Sequence, residues 1–351
     1  MKDSMLAAVY HGPEDLRVEE TPIPDLGPAE LLLKVVSTGI CGTDLRILHG
    51  THRKYPAGTV RIPGHEVVGD VIRIGSSVRG YKIGQRMFMA PNMGCGRCRQ
   101  CISGNNNLCA EYDAVGITLD GSFAEYMRVP AKAIIQGNLI PINKEMDAAA
   151  AALIEPFACV LRGQDALHIQ PGETVLVIGA GPIGAMHVML AQLRGAAKVI
   201  VSEVNLERAG KVKELGADRV INPNVENLKM AIKEETNGIG VDAVVVAAPV
   251  HDAQELALEV AAIGGRINYF GGLPKDNPTI NFNSNILHYK ELIVTGTTAC
   301  STEDNRRAAA IAISGRTDLG KLIGARFPLS EAKGAFSAAE DCKSLKVVIE
   351  P

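Results

Sequence analysis

The sequence predicts an α/β protein whose chain leaves a β-rich unit, forms a doubly wound parallel sheet and then returns. Up to about residue 129, short strand-like runs are broken repeatedly by Gly, Pro and Asn, the texture of an all-β unit with loops. From residue 173 onward, apolar runs of strand length alternate with helical segments, which is typical of βαβ units. The chain has 351 residues, 46% of them apolar, which exceeds the needs of one compact core and favours two domains.

The elements of both parts can be read in order. In the β-rich part the strand-like runs are LLLKVV, EVVGDVIRIG and FAEYMRV, at residues 31–36, 66–75 and 123–129. In the second part the strand TVLVIG precedes a helix at residues 182–194, and the strand AKVIVSEV precedes a helix at residues 206–215. Further apolar runs, RVINP, VDAVVVAA and RINYFGG, continue the alternation and complete a parallel sheet.

The C-terminal segment carries two more helical stretches, at residues 302–314 and 329–339, and a last strand-like run, SLKVVIE. We expect this strand to rejoin the β-rich unit, which makes the doubly wound sheet an insertion. The predicted domains are therefore residues 1–155 together with 296–351, and residues 156–295.

Charge and hydropathy exclude several classes of partner. The 36 Lys and Arg against 39 Asp and Glu leave a net charge of −3, and no basic run is long enough to follow a row of phosphates. We therefore expect no nucleic-acid partner. The N-terminal ten residues lack the basic and apolar regions of a secretory signal, and the apolar runs fall far short of the roughly 18 residues that span a bilayer. A cytoplasmic protein without a membrane partner is expected.

Four of the eight cysteines crowd into one loop, which favours a metal site over disulfides in a chain without a secretory signal. The segment GCGRCRQCISGNNNLC holds Cys95, Cys98, Cys101 and Cys109 among Gly and Asn residues. Four thiolates close tetrahedrally around zinc and leave no open position, so the predicted zinc is structural. An iron–sulfur loop of the C-x2-C-x2-C-x3-C-P type is disfavoured, because the last interval is seven residues long and Ala110 follows it.

A glycine-rich turn predicts a dinucleotide site. Gly179, Gly181 and Gly184 directly follow an apolar strand and open a helix, in which Pro182 and Ile183 come first. The first two glycines permit a tight turn and the close approach of a pyrophosphate, and the third permits close packing of helix on strand. The phosphates are then expected at the helix N-terminus.

An acidic residue at the end of the next strand indicates which dinucleotide binds. Glu203 lies about 20 residues after the turn, where a carboxylate accepts the ribose hydroxyls of NAD and repels a 2′-phosphate, so NAD is preferred over NADP. The alternative is a solvated acid at the start of the helix that follows Asn205. Arg208, one turn further, either flanks the adenine ribose or faces water. Three more residues are expected to contact the cofactor: Gly272, Leu273 and Thr297.

Three segments carry candidate ligands for a second, catalytic metal. They are TGICGTD with Cys41, IPGHEVVG with His65 and Glu66, and ALIEPFA with Glu155. A catalytic zinc needs about three protein ligands and an open position for water or substrate. Taken singly, each residue also fits a structural role, as a small buried cysteine, a satisfied histidine or a glutamate at a helix terminus.

Together these motifs resemble the zinc-containing medium-chain dehydrogenase family, in its polyol and threonine dehydrogenase branch, over essentially the whole chain. The resemblance implies a GroES-like catalytic domain and a Rossmann domain, one catalytic and one structural zinc per chain, NAD, and a homodimer or homotetramer. It implies that Cys41, His65 and Glu66 bind the catalytic zinc and that Glu155 ligates the metal or holds its water; which glutamate is inner-sphere stays open. Thr43 resembles the hydroxyl of the family's proton relay, a role compatible with capping the nearby helix.

Two positions depart from the family pattern. Many relatives carry a histidine five residues after the ligand cysteine, whereas this chain has Arg46. Because arginine cannot act as a base, the proton has to leave through water or another group. The sorbitol-like branch also carries an aromatic and an arginine after the glycine at position 296, where this chain reads TGTTACSTED. This difference argues against sorbitol itself as the substrate.

The leading interpretation is a zinc-dependent, NAD-linked dehydrogenase that oxidises a secondary alcohol of a polyol, sugar alcohol or sugar acid to the ketone. One alternative is the oxidation of an amino alcohol, as in L-threonine 3-dehydrogenase, which the TGICGTD form favours. Another is a redox sensor that binds zinc and NAD without catalysis, which is disfavoured because all the catalytic-ligand types occur together with the NAD turn. The absence of Trp and an aromatic content of 4% favour small hydrophilic substrates.

Overall fold

The computed structural model describes residues 3–341 and 343–351, so that Cys342 lies outside the described residues. The chain forms two compact units, Met1–Ala158 with Cys300–Pro351, and Cys159–Ala299. Both boundaries fall a few residues later than the sequence predicts. The reason is that the first turn of the helix Ile154–Asp165 belongs to the first unit, and the loop after the strand Ile293–Gly296 belongs to the second.

The first unit is built mainly from strands. Its strands are β1 (Ser4–Gly12), β2 (Asp15–Pro22), β3 (Leu31–Gly39), β4 (Glu66–Ile74), β5 (Arg86–Met89), β6 (Asn92–Met93), β7 (Asp113–Ala114), β8 (Tyr126–Val129), β9 (Leu139–Pro141), β16 (Ile323–Pro328) and β17 (Lys346–Glu350). Its helices are α1 (Gly42–Leu48), α2 (Arg99–Ile102), α3 (Ala131–Ile135), α4 (Ala148–Ala152), α11 (Thr302–Ile313) and α12 (Ala332–Glu340).

A seven-stranded sheet organises this unit, in the order β16-β17-β3-β4-β5-β9 with β8 also on β3. Strand β17 pairs antiparallel with β3 and parallel with β16, so the C-terminal run SLKVVIE rejoins the β-rich unit as its sequence predicts. Leu31, Leu33 and Val35 are buried in one cluster with Met87 and Met127 of neighbouring strands. Each such side chain contributes about 1.5–3 kcal/mol by burial.

The C-terminal helical stretch begins later than its pattern suggests. Residues Leu329–Glu331 form a 3-10 turn, and the α-helix starts at Ala332. Leu329 and Phe336 are buried in the same core cluster, which explains why the apolar pattern extends over both segments.

The second unit is a doubly wound α/β domain. Its strands are β10 (Thr174–Ile178), β11 (Lys198–Ser202), β12 (Arg219–Ile221), β13 (Val241–Val246), β14 (Ala261–Tyr269) and β15 (Ile293–Gly296). Its helices are α5 (Ile154–Asp165, which begins in the first unit), α6 (Pro182–Leu193), α7 (Leu206–Glu214), α8 (Leu228–Glu235), α9 (His251–Val260) and α10 (Ser284–Tyr289). All strand pairs are parallel, in the order β12-β11-β10-β13-β14-β15.

This strand order reverses direction between β10 and β13, the place where doubly wound sheets bind their ligands. The run Ala243–Val246 on β13 is fully buried, as expected for a central parallel strand covered on both faces. Helices α6 and α7 begin at Pro182 and Leu206, the residues that the sequence indicates. Across the described part of the chain, no helix combines the length and apolar character needed to cross a membrane.

Candidate active site

Strand pairing brings the first candidate ligands together. Strands β3 and β4 are antiparallel, and their register places Gly39 opposite Glu66. Cys41 follows β3 and His65 precedes β4, so both lie at the same end of the strand pair. A ligand atom of Cys41, one of His65 and one of Glu66 all lie within 4.8 Å of one another. Glycine at position 39 leaves room for this carboxylate, because a Cβ there would lie 2.0 Å from Glu66 Oε2 and would force the side chain to move.

Asp44 links two of these candidate ligands. Helix α1 has Cys41 as its N-cap, and Asp44 Oδ2 accepts a hydrogen bond from the Cys41 backbone N–H at 2.9 Å. The other oxygen, Oδ1, lies 3.4 Å from His65 Nδ1, and the carboxylate is fully buried. Carboxylates in this position orient metal-binding histidines. Asp44 is not among the residues predicted from the sequence, although an acid three residues after the N-cap is a recognisable capping-box signal.

A buried lysine lies on the other side of Glu66. Lys346 Nζ, on β17, lies 2.7 and 2.6 Å from the two Glu66 oxygens and donates to the Ile40 carbonyl at 2.8 Å. Burial alone lowers the pKa of Lys346, but the negative charges of Glu66 and Cys41 outweigh it and leave the pKa above its usual value. No short motif signals this contact, because 280 residues separate the two partners.

Glu155 lies beside this group. It is in the first turn of α5 and is only 6% exposed. Burial raises the pKa of Glu155 above its usual value. The positive charges of His65 and Lys346 lower this pKa, and the negative charge of Glu66 raises it. The Glu155 carboxylate does not belong to the triplet of mutually close ligand atoms that Cys41, His65 and Glu66 form. In this structure, Glu66 is therefore the glutamate closer to the other two candidate ligands.

The donor set fits zinc. A thiol, an imidazole and a carboxylate are the sulfur, nitrogen and oxygen donors that zinc binds. Burial opposes the charged form of His65, yet Asp44 and Cys41 raise its pKa well above the usual value, so the surroundings favour positive charge. Glu66 and Glu155 add two more buried carboxyl groups. A divalent cation would compensate this excess of acidic groups.

Thr43 and Arg46 lie on the same short helix. Thr43 Oγ1 accepts a hydrogen bond from Arg46 Nη2 at 3.0 Å. The expectation that Thr43 also caps the helix is wrong, because the N-cap is Cys41 and Thr43 is inside the first turn. Since Arg46 is the donor in this contact, the hydroxyl proton of Thr43 is left for another acceptor.

The four clustered cysteines bring their sulfur atoms together, as their spacing predicts. These four sulfur atoms lie within 4.8 Å of one another: Cys95, Cys98, Cys101 and Cys109. The Cys98 N–H donates to Cys95 Sγ at 3.3 Å, and the Cys95 N–H donates to Cys109 Sγ at 3.2 Å. Backbone N–H groups of Arg97 and Cys98 lower the pKa of Cys95 to about 6. Burial instead raises the pKa of Cys101 to about 12, so the fit to a structural zinc rests on the four close sulfur atoms rather than on the pKa values.

The parallel register of the second unit gathers the predicted cofactor residues at one edge of the sheet. The last residues of five strands are paired with one another in sequence: Ser202, Ile178, Val246, Tyr269 and Gly296. Gly179, Glu203 and Thr297 each follow one of these ends directly. All three therefore lie at the carboxyl edge, where doubly wound sheets bind nucleotides.

Each of the three positions of the turn is occupied by glycine for a different structural reason. Gly179 has φ +97°, a backbone conformation that favours glycine. A Cβ on Gly184 would lie 1.8 Å from the Gly179 carbonyl oxygen, so this glycine is required for close packing of the helix. A Cβ on Gly181 would meet only Arg208 Nη1, at 4.0 Å. The chain therefore does not need glycine at position 181, and the open space there fits a pyrophosphate.

Glu203 is buried and bonded to the glycine turn. Its Oε2 accepts from the Ala180 N–H at 2.6 Å, and its Oε1 accepts from the Asn205 N–H at 2.8 Å. The alternative of a solvated helix-terminal acid is therefore wrong, and the cap of α7 is the Asn205 side chain. Arg208 is half-buried, and its Nε has no hydrogen-bond partner among the described residues. A guanidinium in this state beside Gly181 fits an anionic ligand.

The remaining cofactor residues lie in loops at the same edge. Gly272 and Leu273 follow β14, and Gly272 is exposed with open space around its Cα. Thr297 follows β15, and its hydroxyl donates to Asn268 Oδ1 at 3.2 Å. Their contact with a cofactor stays a prediction.

Comparison with known proteins identifies the family. The chain matches the alcohol dehydrogenase GroES-like domain over residues 27–141 and the zinc-binding dehydrogenase domain over residues 182–314. It is 32% identical to the L-threonine 3-dehydrogenase of Chromobacterium violaceum, over 95% of this chain and 96% of that protein. It is also 32% identical to the sorbitol dehydrogenase of Bacillus subtilis, over 99% and 98%. This chain belongs to the zinc-binding alcohol dehydrogenase family.

Solved structures of zinc-binding alcohol dehydrogenases agree with this family and with the fold. A structure from Sinorhizobium meliloti, described as a zinc-binding dehydrogenase bound to NADP, has a TM-score of 0.91 and 34% identity and covers 100% of both chains. The predicted fold class, a GroES-like unit plus a Rossmann unit, is confirmed. The protein is thus an oxidoreductase of a family that uses zinc and a nicotinamide dinucleotide.

Proposed function

We propose that this dehydrogenase oxidises a secondary alcohol of a small polyol, sugar alcohol or sugar acid to the ketone, with zinc and NAD. The observation that carries the proposal is the buried group of Cys41, His65 and Glu66 with the Glu155 carboxyl group beside it. Three ligands of mixed type are what a catalytic zinc takes, in contrast to the closed set of four thiolates. A cytoplasmic location and a homodimer or homotetramer stay predictions.

Different residues of the first unit bind the metal, orient its ligands and balance their charge. When bound, zinc would polarise the alcohol oxygen and NAD would accept the hydride. Cys41, His65 and Glu66 would hold the metal. Asp44 holds the backbone of the cysteine and faces the imidazole ring, so that both keep their orientation. Lys346 balances the charge of the glutamate.

Thr43 is the residue that moves the proton. The substrate hydroxyl proton passes toward Thr43 Oγ1, which already accepts a hydrogen bond from Arg46 and therefore can donate its own proton onward. Arg46 keeps its charge and cannot take the proton, so water is the next acceptor. Arg46 instead fixes the position of the hydroxyl group.

The second unit supports NAD as the cofactor. The open space at Gly181 accepts the pyrophosphate, and Arg208 lies beside it as a cation. The buried Glu203 carboxylate, bonded to the turn, puts negative charge where a 2′-phosphate would have to lie. The Sinorhizobium relative holds NADP, so the ratio of kcat/KM for NAD and NADP is the direct check. We expect NAD to be preferred, and Glu203→Ala to reduce that preference.

L-Threonine is the second candidate substrate. Its support is the 32% identity to an L-threonine 3-dehydrogenase over nearly the whole chain. The chain is equally similar, at 32% identity, to a sorbitol dehydrogenase, so overall sequence similarity favours neither substrate. Both substrates present a secondary hydroxyl group, so one panel of compounds separates the two candidates.

The test is NAD reduction across polyols, sugar acids, sugar phosphates and L-threonine, with Thr43→Val and Thr43→Ser as a matched pair. We expect turnover on a polyol or sugar acid. Thr43→Val should lose about 100-fold or more of kcat because it lacks the hydroxyl, and Thr43→Ser should keep most of it. Turnover on L-threonine alone would favour the second candidate. Equal rates for wild type and Thr43→Val would contradict the proposed role of Thr43.

A further inference from the structure

We propose that Cys300 is a positioning residue that holds the Glu155 carboxyl group at the edge of the metal centre. The proposal rests on the function proposed above, because it concerns the carboxyl group beside the candidate zinc ligands. Cys300 lies in the TGTTACSTED segment, where this chain departs from the sorbitol-like pattern.

The Cys300 thiol is in hydrogen-bond contact with Glu155 and is itself fixed. Its Sγ lies 3.6 Å from Glu155 Oε1, and the side chain is 0% exposed. The Asn305 amide donates to the same sulfur at 3.2 Å, and the Asn92 amide donates to the Cys300 carbonyl at 2.8 Å. Asn305 is 0% exposed and Asn92 is 3% exposed. The thiol thus accepts from both amides, at 3.2 Å from Asn305 and 3.8 Å from Asn92, and its own proton faces Glu155. The carboxylate Oε1 is nearer to the sulfur than the Glu155 carbonyl oxygen, at 3.6 Å against 3.8 Å.

The local structure keeps this contact rigid. Cys300 immediately precedes Ser301, the N-cap of α11, whose side chain and Asp304 form a capping box. The Asn305 amide also donates to the Ser301 carbonyl at 2.8 Å. The cysteine is therefore attached to a capped helix end. Its sulfur cannot move away from the carboxyl group without breaking buried hydrogen bonds.

The consequence concerns the metal. Glu155 lies outside the close triplet of Cys41, His65 and Glu66, and its Oε1 lies 3.6 Å from the Cys300 thiol. A carboxylate fixed beside a metal attracts the cation without occupying the position that the substrate needs. Residues that orient groups around a metal typically change its affinity 10- to 100-fold when they are replaced. Because a thiol is a weak donor, we expect about tenfold for Cys300.

Serine and alanine separate this role from simple packing. A buried cysteine that only fills space behaves as a small hydrophobe, and alanine then replaces it at least as well as serine does. A cysteine that donates a hydrogen bond is replaced better by serine, which keeps a donor and is already surrounded by the Asn305 and Asn92 amides. Val129→Ala, a buried truncation on β8, is the control for lost packing.

The experiment follows zinc release from the full-length, zinc-loaded protein to a chromogenic chelator. The phase that Cys41→Ser lacks reports the catalytic site, and the phase that Cys101→Ser lacks reports the cysteine cluster. We expect Cys300→Ala to speed the Cys41-dependent phase about tenfold. Cys300→Ser should restore a rate close to wild type, and Val129→Ala should leave it unchanged.

Two outcomes overturn the proposal. One is a Cys41-dependent phase that is unchanged or slower in Cys300→Ala, and the other is a serine variant as fast as the alanine variant. If Cys41→Ser removes no zinc phase at all, the proposed metal centre is wrong, and this result is visible without any variant of Cys300. Faster release in the alanine variant with rescue by serine supports the positioning role.

Discussion

The ion pair between Glu66 and Lys346 provides a sharp test of how the metal centre is built. Glu66→Gln keeps the shape of the side chain and leaves the ammonium of Lys346 buried without its carboxylate. Lys346 would retain the Ile40 carbonyl at 2.8 Å but lose a charged partner that now lies 2.6–2.7 Å away. Because Glu66 is also a proposed zinc ligand, the double variant Glu66→Gln/Lys346→Met is needed as the reference.

The expected cost follows from the distance and the burial. At 2.6–2.7 Å and an effective dielectric constant of about 20, two unit charges attract with about 6 kcal/mol. The unpaired Lys346 can instead lose its proton and become neutral. For a group with an ordinary pKa of about 10.4, this deprotonation costs at most about 5 kcal/mol at pH 7. We therefore expect the single variant to lose about 3–5 kcal/mol of unfolding free energy.

The sign of the pH dependence is also fixed. Burial lowers the pKa of Lys346, and Glu66 is the first of the charges that offset it. Without that charge we expect the folded pKa to lie below the unfolded value, so the loss is largest at low pH and shrinks as the pH rises. The upper limit of about 5 kcal/mol at pH 7 falls to about 2 kcal/mol at pH 9. The double variant has no buried charge to strand and should recover most of the lost stability at both pH values.

Urea unfolding of wild type, single variant and double variant at pH 7 and pH 9 measures these differences. Zinc loss at the catalytic site affects both variants alike, so the gap between them isolates the stranded charge. Lys34→Met, at an exposed position on β3, is the control for removing a lysine. Equal stability of the single and double variants at pH 7, or a gap that does not shrink at pH 9, would refute the reasoning.

Three further predictions concern other parts of the chain. Cys101→Ser should remove one zinc and lower the unfolding free energy, whereas Cys41→Ser should remove one zinc and abolish turnover. Zinc analysis, urea unfolding and NAD reduction distinguish the two variants. Loss of turnover alone in Cys101→Ser would contradict the assignment. Gly181→Ala should fold normally but weaken NAD binding about tenfold, which calorimetry measures. Gly184→Ala should be destabilised, because its methyl group would lie 1.8 Å from a backbone oxygen. Burial lowers the pKa of His187 from 6.5 to about 3, so the unfolded chain takes up a proton below pH 6.5 that the folded protein does not. Stability is therefore fully present above pH 6.5 and falls by about 2 kcal/mol at pH 5; His187→Gln should lose less over that range in urea unfolding, and an equal loss would exclude this origin.

Features with a local signal could be predicted from the sequence. The spacing of Cys95 to Cys109 predicts four close sulfur atoms, and the structure has them. The glycine turn predicts the start of α6 at Pro182, because a strand, a turn and a helix follow one another within a few residues. In the same way Cys41 and His65 could be proposed from short motifs. Each of these predictions needs only neighbouring residues.

Features that depend on distant strands could not be predicted. Lys346 approaches Glu66 only because β17 pairs with β3, and no pattern in the run SLKVVIE marks a charged partner. Cys300 approaches Glu155 across 145 residues for the same kind of reason. Glu203 has the spacing of a ribose ligand and of a helix-terminal acid, and its burial against Ala180 excludes only the solvated form. Tertiary packing decides these cases, whereas sequence spacing alone leaves them open.

The measurement that tests the central claim most directly is zinc content and turnover during graded chelation. The protein should bind two kinds of zinc, one easily lost from the Cys41, His65 and Glu66 group and one retained by the cysteine cluster. We predict that loss of the first zinc abolishes NAD reduction while the fold persists, and that added zinc restores the activity. Undiminished turnover after that loss, or no zinc beyond the cysteine cluster, would contradict the assignment of this group as the catalytic centre.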